Sequence, residues 1–67
     1  MEVNKIKVKL GKDWYTGYYW IEANKKSQDE IHISYEGIRK SNVITAEETD
    51  NQGKRAEEML IKLLGDL

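Results

Sequence analysis

Three lysines at alternate positions, Lys5, Lys7 and Lys9, and an aromatic run holding Trp14, Tyr18 and Trp20 are the residues whose types and spacing could do chemistry. Ammonium groups repeated with period two lie on one side of an extended strand, where they can contact phosphates. Indole and phenol rings beside them can stack bases or anchor a protein partner. The same residues also have a plain structural use. Lysines keep a strand solvated and discourage edge-to-edge aggregation, rings fill cores, and a cation over a ring steadies a sheet by about 0.5 to 1 kcal/mol.

No comparable set exists for catalysis. His32 is the sole imidazole and shares the polar phase of its segment with Ser34 and Glu36, the place of a surface histidine. Nucleophilic attack by Ser27, Ser34 or Ser41 needs a positioned base and an oxyanion site, and no spacing supplies either. The chain has no cysteine, which removes disulfides, thiolate zinc sites, iron–sulfur ligation and cysteine nucleophiles together. With one imidazole, a zinc ion would depend on carboxylates, against its preference for Cys and His. Asp50-Asn51-Gln52-Gly53 superficially resembles a calcium loop but lacks the alternate ligands and the closing Glu. Neither G-x-x-x-x-G-K-[ST] nor G-x-G-x-x-G occurs. The expectation is a protein that is not an enzyme and uses no metal or cofactor.

Size and charge narrow the classes further. A chain of 67 residues buries only about 60% of its unfolded surface, so one domain spanning 1–67 is expected. Such a core often needs a staple, and with disulfides gone and a metal disfavoured, self-association is the supplement most compatible with these residues. No run approaches the roughly 18 apolar residues of a membrane helix, and the N-terminus alternates Lys with Ile and Val rather than forming a signal-peptide core. A cytoplasmic protein that does not enter a membrane is expected. Net charge is −1, divided as +3 over residues 1–26 and −4 over residues 27–67. That asymmetry suits a basic face or complementary halves, and is not the balance of a strongly basic nucleic-acid binder.

The elements that must position these residues follow from periodicity. Ile6, Val8 and Leu10 alternate with Lys5, Lys7 and Lys9, giving a half-buried strand over about 3–10. Gly11-Lys12-Asp13 supplies a turn, and 14–23 is a second strand rich in aromatic and β-branched residues. The polar segment Asn24–Asp29 is a solvated connection. Ile31, Ile33 and Tyr35 mark a third strand over 30–36, interrupted at Gly37. Residues 38–44 either continue that strand past a bulge or form a fourth. Thr45 with Glu48 fits a capping box, as does Thr49 with Gln52. A helix over about 46–64 follows, with Ala56, Met59, Leu60, Leu63 and Leu64 on one face and Gly65 placed as a left-handed C′ residue. Earlier positions on that face, Ala46, Thr49 and Gly53, are small, so its first half can approach the sheet closely. Glu47, Glu48 and Asp50 suit the positive end of the helix dipole. The fold class is α+β: a three- or four-stranded antiparallel meander with one C-terminal helix on one face.

One helix covers one face of such a sheet, so the opposite face meets water or a partner. Its content depends on the first hairpin's register, because a one-residue slip exchanges the two faces. A loop of two or four residues sets Leu10 opposite Tyr15 and Gly17 across from Val8. Ile6, Val8, Leu10, Tyr15, Gly17, Tyr19 and Ile21 then enter the core, while Lys5, Lys7, Lys9, Thr16, Tyr18 and Trp20 face outward. A three-residue loop sets Leu10 opposite Trp14 and buries Trp14, Tyr18 and Trp20 instead. The first register is preferred, since it buries Ile21 and puts Gly17 under the helix. Rings and lysines share the outward face in both.

The order strand, strand, strand, helix resembles the small N-terminal DNA-binding domains of tyrosine recombinases, which lay a three-stranded sheet in the major groove. The resemblance lies in element order, and the negative net charge departs from it. The leading expectation is a non-enzymatic binding module acting by protein–protein contact or as a homodimer, through the exposed aromatic and lysine face or an open strand edge. Size and composition suit an inhibitor or regulator of the phage or mobile-element kind. The alternative is nucleic-acid binding by the same face. In both, Lys5, Lys7, Lys9, Trp14, Tyr18 and Trp20 are the candidate binding residues.

Overall fold

Every segment with period-two alternation is a strand of one antiparallel meander. The computed structural model describes residues 2–24, 26 and 28–67, the side chain of Ala46 excepted; Lys25 and Ser27 of the expected connection lie outside the described residues. In chain order run β1 (Asn4–Leu10), β2 (Asp13–Glu22), β3 (Glu30–Tyr35), β4 (Ile38–Val43), α1 (Ala46–Thr49) and α2 (Gln52–Gly65). The strands lie side by side in the order β1-β2-β3-β4.

Two tight turns fix the register. Gly11 has φ +66° and Lys12 has no positive φ, the sign pattern of a type II′ hairpin turn. The loop therefore has two residues, and the faces are those of the preferred register. The pairing itself differs by two residues, which keeps the faces: Leu10 meets Asp13 rather than Tyr15, and Gly17 meets Ile6 rather than Val8, because the shorter loop closes the hairpin sooner. Glu36 (φ +47°) and Gly37 (φ +84°) both occupy the left-handed region, as a type I′ turn requires. Residues 38–43 are consequently a fourth strand folded back on β3, and not an extension past a bulge.

The core lies between α2 and one face of the sheet. Ile31, Ile33, Ala56 and Leu60 are wholly inaccessible to solvent, with Val8, Tyr19, Ile44, Met59 and Leu63 buried around them. Burying an aliphatic side chain of this size contributes roughly 1.5 to 3 kcal/mol. Gly17 lets α2 come close: a Cβ there would stand 3.1 Å from Leu60 Cδ2 and 3.1 Å from the Ser34 carbonyl oxygen. α2 packs on β1 and β3, and β4 lies beyond its cover, with all six of its residues exposed.

The helical region departs from the single helix over 46–64 and divides at Asp50–Asn51. Thr45 caps α1 with both halves of the box, its hydroxyl oxygen accepting from the Glu48 N–H at 3.2 Å and its own N–H donating to Glu48 Oε1 at 3.2 Å. These bonds to Thr45 hold the Glu48 carboxyl below its ordinary pKa. The second box does not form: Thr49 lies within α1, its hydroxyl donating back to the Thr45 carbonyl at 2.9 Å, and the Gln52 side-chain amide donates to the Thr49 carbonyl. Asn51, at φ −123° and ψ 37°, breaks the helical path. Arg55 ties the two pieces together, its Nε 3.2 Å from Glu48 Oε2 and its Nη1 3.7 Å from Glu58 Oε2. Gly65 is also corrected. It lies inside α2 without a positive φ, and Asp66 stays right-handed because its N–H reaches the Lys62 and Leu63 carbonyls. Among the described residues no helix is long and apolar enough to cross a membrane.

Candidate functional site

The face of the sheet turned away from α2 is built by alternate residues of all four strands. Lys5, Lys7 and Lys9 come from β1, and Trp14, Thr16, Tyr18, Trp20 and Glu22 from β2. β3 supplies Glu30, His32 and Ser34, and β4 supplies Arg39, Ser41 and Val43. All six residues expected to bind stand on this face.

They do not form one cluster. Toward the Gly11 turn, each lysine faces a β2 side chain directly: Lys9 opposes Trp14, Lys7 opposes Thr16 and Lys5 opposes Tyr18. The Lys9 ammonium lies 5.9 Å from the Trp14 ring centre. Trp14 is 64% exposed and Tyr18 47%, values a core residue would not have. Lys7, Trp14 and Thr16 frame a shallow concavity of about 420 Å³. No carboxylate belongs to this half of the face, so it is both cationic and rich in ring surface.

Trp20 belongs to the other half, where its surroundings occupy it. The His32 imidazole stacks on its indole at 5.4 Å with the planes 4° apart, and the Arg39 guanidinium lies 5.8 Å from the ring. Glu22 and Glu30 are direct cross-strand partners, a like-charge pairing that destabilises a sheet on its own. Both converge on His32 Nε2, Glu22 Oε2 at 3.1 Å and Glu30 Oε2 at 3.5 Å. These contacts are ion pairs only when the imidazole carries a proton. Neither oxygen has hydrogen-bond geometry with Nε2, which is nonetheless shielded from solvent. Trp20, His32 and Glu22, with Val3 and Arg39 at the margin, line a concavity of about 480 Å³.

His32 is therefore no freely solvated histidine, and Glu22, Glu30 and Arg39 are members of the face that sequence reasoning did not single out. Glu22 joins through the β2–β3 register, which the Ala23–Asp29 connection hides, and Arg39 through β4, whose existence hinged on the conformation of Glu36 and Gly37, whereas Glu30 stands two residues from His32 on one strand, a spacing that could have found it. Along its own strand His32 has Glu30 and Ser34 as same-phase neighbours. The partner that defines it, Trp20, stands one strand away. Ser34 and Ser41 are also on this face, on β3 and β4, while Ser27 lies outside the described residues. Glu47, Glu48 and Asp50 are far from it at α1, where Glu48 serves the cap.

Tyr35 has the other displaced titration. Its phenol is raised above the ordinary value of 10.0, first by desolvation and then by the Glu36 carboxylate and Tyr15. It belongs to the helix-side face, edge-on to Tyr15 at 6.2 Å. Compared with known protein families, with characterised proteins and with solved structures, the chain matches none.

Proposed function

We propose that the chain is a small non-catalytic binding module that works by protein–protein contact through the bare outer face of its sheet, recognising an acidic partner surface. One observation carries this reading: Trp14 and Tyr18 are exposed with lysines as their direct cross-strand partners, and no described element covers them. Large rings that can lose water on association make hot spots, and the ammonium row steers oppositely charged surfaces toward them. Ser41 is the cross-strand neighbour of His32, but catalysis has little support on this face, since His32 Nε2 is turned to Glu22 and Glu30 and shut away from solvent. The charge of −1 overall but +3 over residues 1–26 fits a local basic surface on an otherwise acidic molecule. A regulator or inhibitor that occupies a partner's surface, of the phage or mobile-element kind, is consistent with the size.

The same lysine and ring ladder favours a second reading, contact with single-stranded nucleic acid, in which Trp14 and Tyr18 stack bases and Lys5, Lys7 and Lys9 take phosphates. Amide chemical-shift mapping separates the two. An acidic peptide containing tyrosine is expected to shift β1 and β2 resonances on the outer face, and Trp14→Ala with Tyr18→Ala to abolish the shifts. An oligothymidylate that binds instead, with affinity falling steeply as salt rises and lost on changing Lys5, Lys7 and Lys9 to Glu, would transfer the function to nucleic acid. Neither probe touching this face at low salt would end both readings.

A further inference from the structure

We propose that β4 is a dimerisation edge, along which two copies of this chain pair antiparallel about a two-fold axis at Ser41, joining the four strands of each into one continuous sheet. The proposal concerns a strand edge and is independent of what the outer face binds.

The two edges of the sheet are unequal. β1 lies under α2 on one side and shows Lys5, Lys7 and Lys9 on the other, and lysines are a common guard of an open edge. β4 is uncovered on both sides, with every residue exposed. Ile38 and Val43 remain 38% and 45% accessible. A groove of about 330 Å³ separates β4 from α2, walled by Lys40 and Asn42 on one side and Met59, Lys62, Leu63 and Asp66 on the other. A strand with one open edge beside an unfilled groove is a template for another strand.

The residues of β4 select a second copy and its register. Antiparallel strands related by a two-fold axis keep the same face on the same side, so residues that meet must share a phase. Centring the axis on Arg39 opposes two guanidinium groups, and centring it on Lys40 opposes two ammonium groups, both unfavourable. Centring it on Asn42 would set Lys40 against Ile44, which is buried and hydrogen-bonded to the Asp29 carbonyl, whereas centring it on Ser41 sets that residue against its own copy, Lys40 against Asn42 and Arg39 against Val43, with no like charges opposed. The Val43 N–H, already held by Asn42 Oδ1 at 2.9 Å, then falls at the end of the pairing rather than at its centre. Both α2 helices come to one side, and the two grooves merge into a cleft between them. A chain this short without a disulfide also gains most from burying surface against itself.

The absence of cysteine makes the axis directly readable. Residues facing each other across an antiparallel pair have Cα atoms about 4.5 to 5.5 Å apart, inside the disulfide range of about 4.4 to 6.8 Å. The wild type is expected to sediment as a dimer at high concentration. Ser41→Cys is expected to give a covalent dimer on mild oxidation, far faster than Lys40→Cys or the exposed helical control Glu57→Cys. Ser41→Pro, which removes an edge N–H, is expected to give a monomer with unchanged circular dichroism. Should that variant fail to fold, the cysteine series alone decides. A wild type monomeric at high concentration, with Ser41→Cys cross-linking no faster than Glu57→Cys, would overturn the proposal. So would a dimer that survives Ser41→Pro and is dispersed by Trp14→Ala, which would assign self-association to the outer face.

Discussion

The two faces of this sheet are made by the same strands, yet one is defined by contacts to a helix and the other by contacts between neighbouring strands alone. On the helix side, Ile31, Ile33 and Leu60 have no solvent contact and Gly17 yields its side-chain volume to Leu60. On the bare side, Trp14 and Tyr18 stand out while Trp20 is held by His32 and Arg39. Stability is therefore concentrated on one face, leaving the other free to carry large rings and charges. Substitutions on the two faces should separate sharply, by an amount set by burial rather than by residue size.

The largest loss is expected at Leu60. Leu60→Ala leaves a cavity between α2 and the sheet at a wholly buried position, at a cost of about 2 to 5 kcal/mol. Gly17→Ala attacks the same contact from the other side. Its Cβ would press on Leu60 and on the Ser34 carbonyl, and backbone oxygen yields little. Overpacking of this kind costs about 1 to 3 kcal/mol, and the smaller backbone entropy of unfolded alanine recovers about 0.4 to 1 of it. Urea unfolding measures both. If Gly17→Ala were stabilising, the close approach of α2 to β2 would be wrong.

How much of this was legible in the sequence follows from how far each relation reaches along the chain. Lys5, Lys7 and Lys9 against Ile6, Val8 and Leu10 is a pattern within seven residues, and it fixed β1 and its faces. The first hairpin was legible to its faces but not its pairing, because loops of two and four residues give the same parity. β4 was legible only as one of two alternatives, since a glutamate at positive φ is uncommon outside a turn and Glu36 gives no sign that it accepts one. The Trp20–His32–Arg39 stack joins three strands, and no spacing along one strand encodes it. The helix break failed for the opposite reason: both capping boxes were visible, but which bond the Thr49 hydroxyl would make depends on local geometry. The outer face was thus readable as a composition of rings and lysines, while its division into a half with an exposed indole and a half with a stacked one was not.

The capping box at Thr45 gives a smaller expected effect and one with a pH signature. Thr45→Ala should cost about 1 kcal/mol, seen as loss of amide protection in α1. Because Glu48 is held below its ordinary pKa in the folded chain by its bonds to Thr45, its contribution is complete above the ordinary carboxylate range and fades as pH falls through the lowered folded value. Carboxyl titration by NMR should therefore find Glu48 below the ordinary glutamate value in the wild type, and return it toward that value in Thr45→Ala. A Glu48 titration unmoved by that substitution would remove the box as its cause.

The two tryptophans offer the finest version of the comparison, since they share a strand, a face and a residue type. Trp20→Ala deletes a stacked aromatic partner, worth about 0.5 to 1.5 kcal/mol, and leaves the Glu22 and Glu30 carboxylates facing each other without a wall. Trp14→Ala deletes a ring that is 64% exposed, touched by a lysine that can return to water. Its effect on unfolding free energy should lie within about 0.5 kcal/mol of zero, as for other surface positions. Binding should reverse the ranking, because a ring already engaged by its own chain has little face to offer, whereas Trp14 has nearly all of its own. Denaturation and peptide titration of the same two variants test this crossing of effects. Equal stability losses, or a binding loss confined to Trp20→Ala, would mean that the bare face is organised around the histidine stack and not around the lysine row.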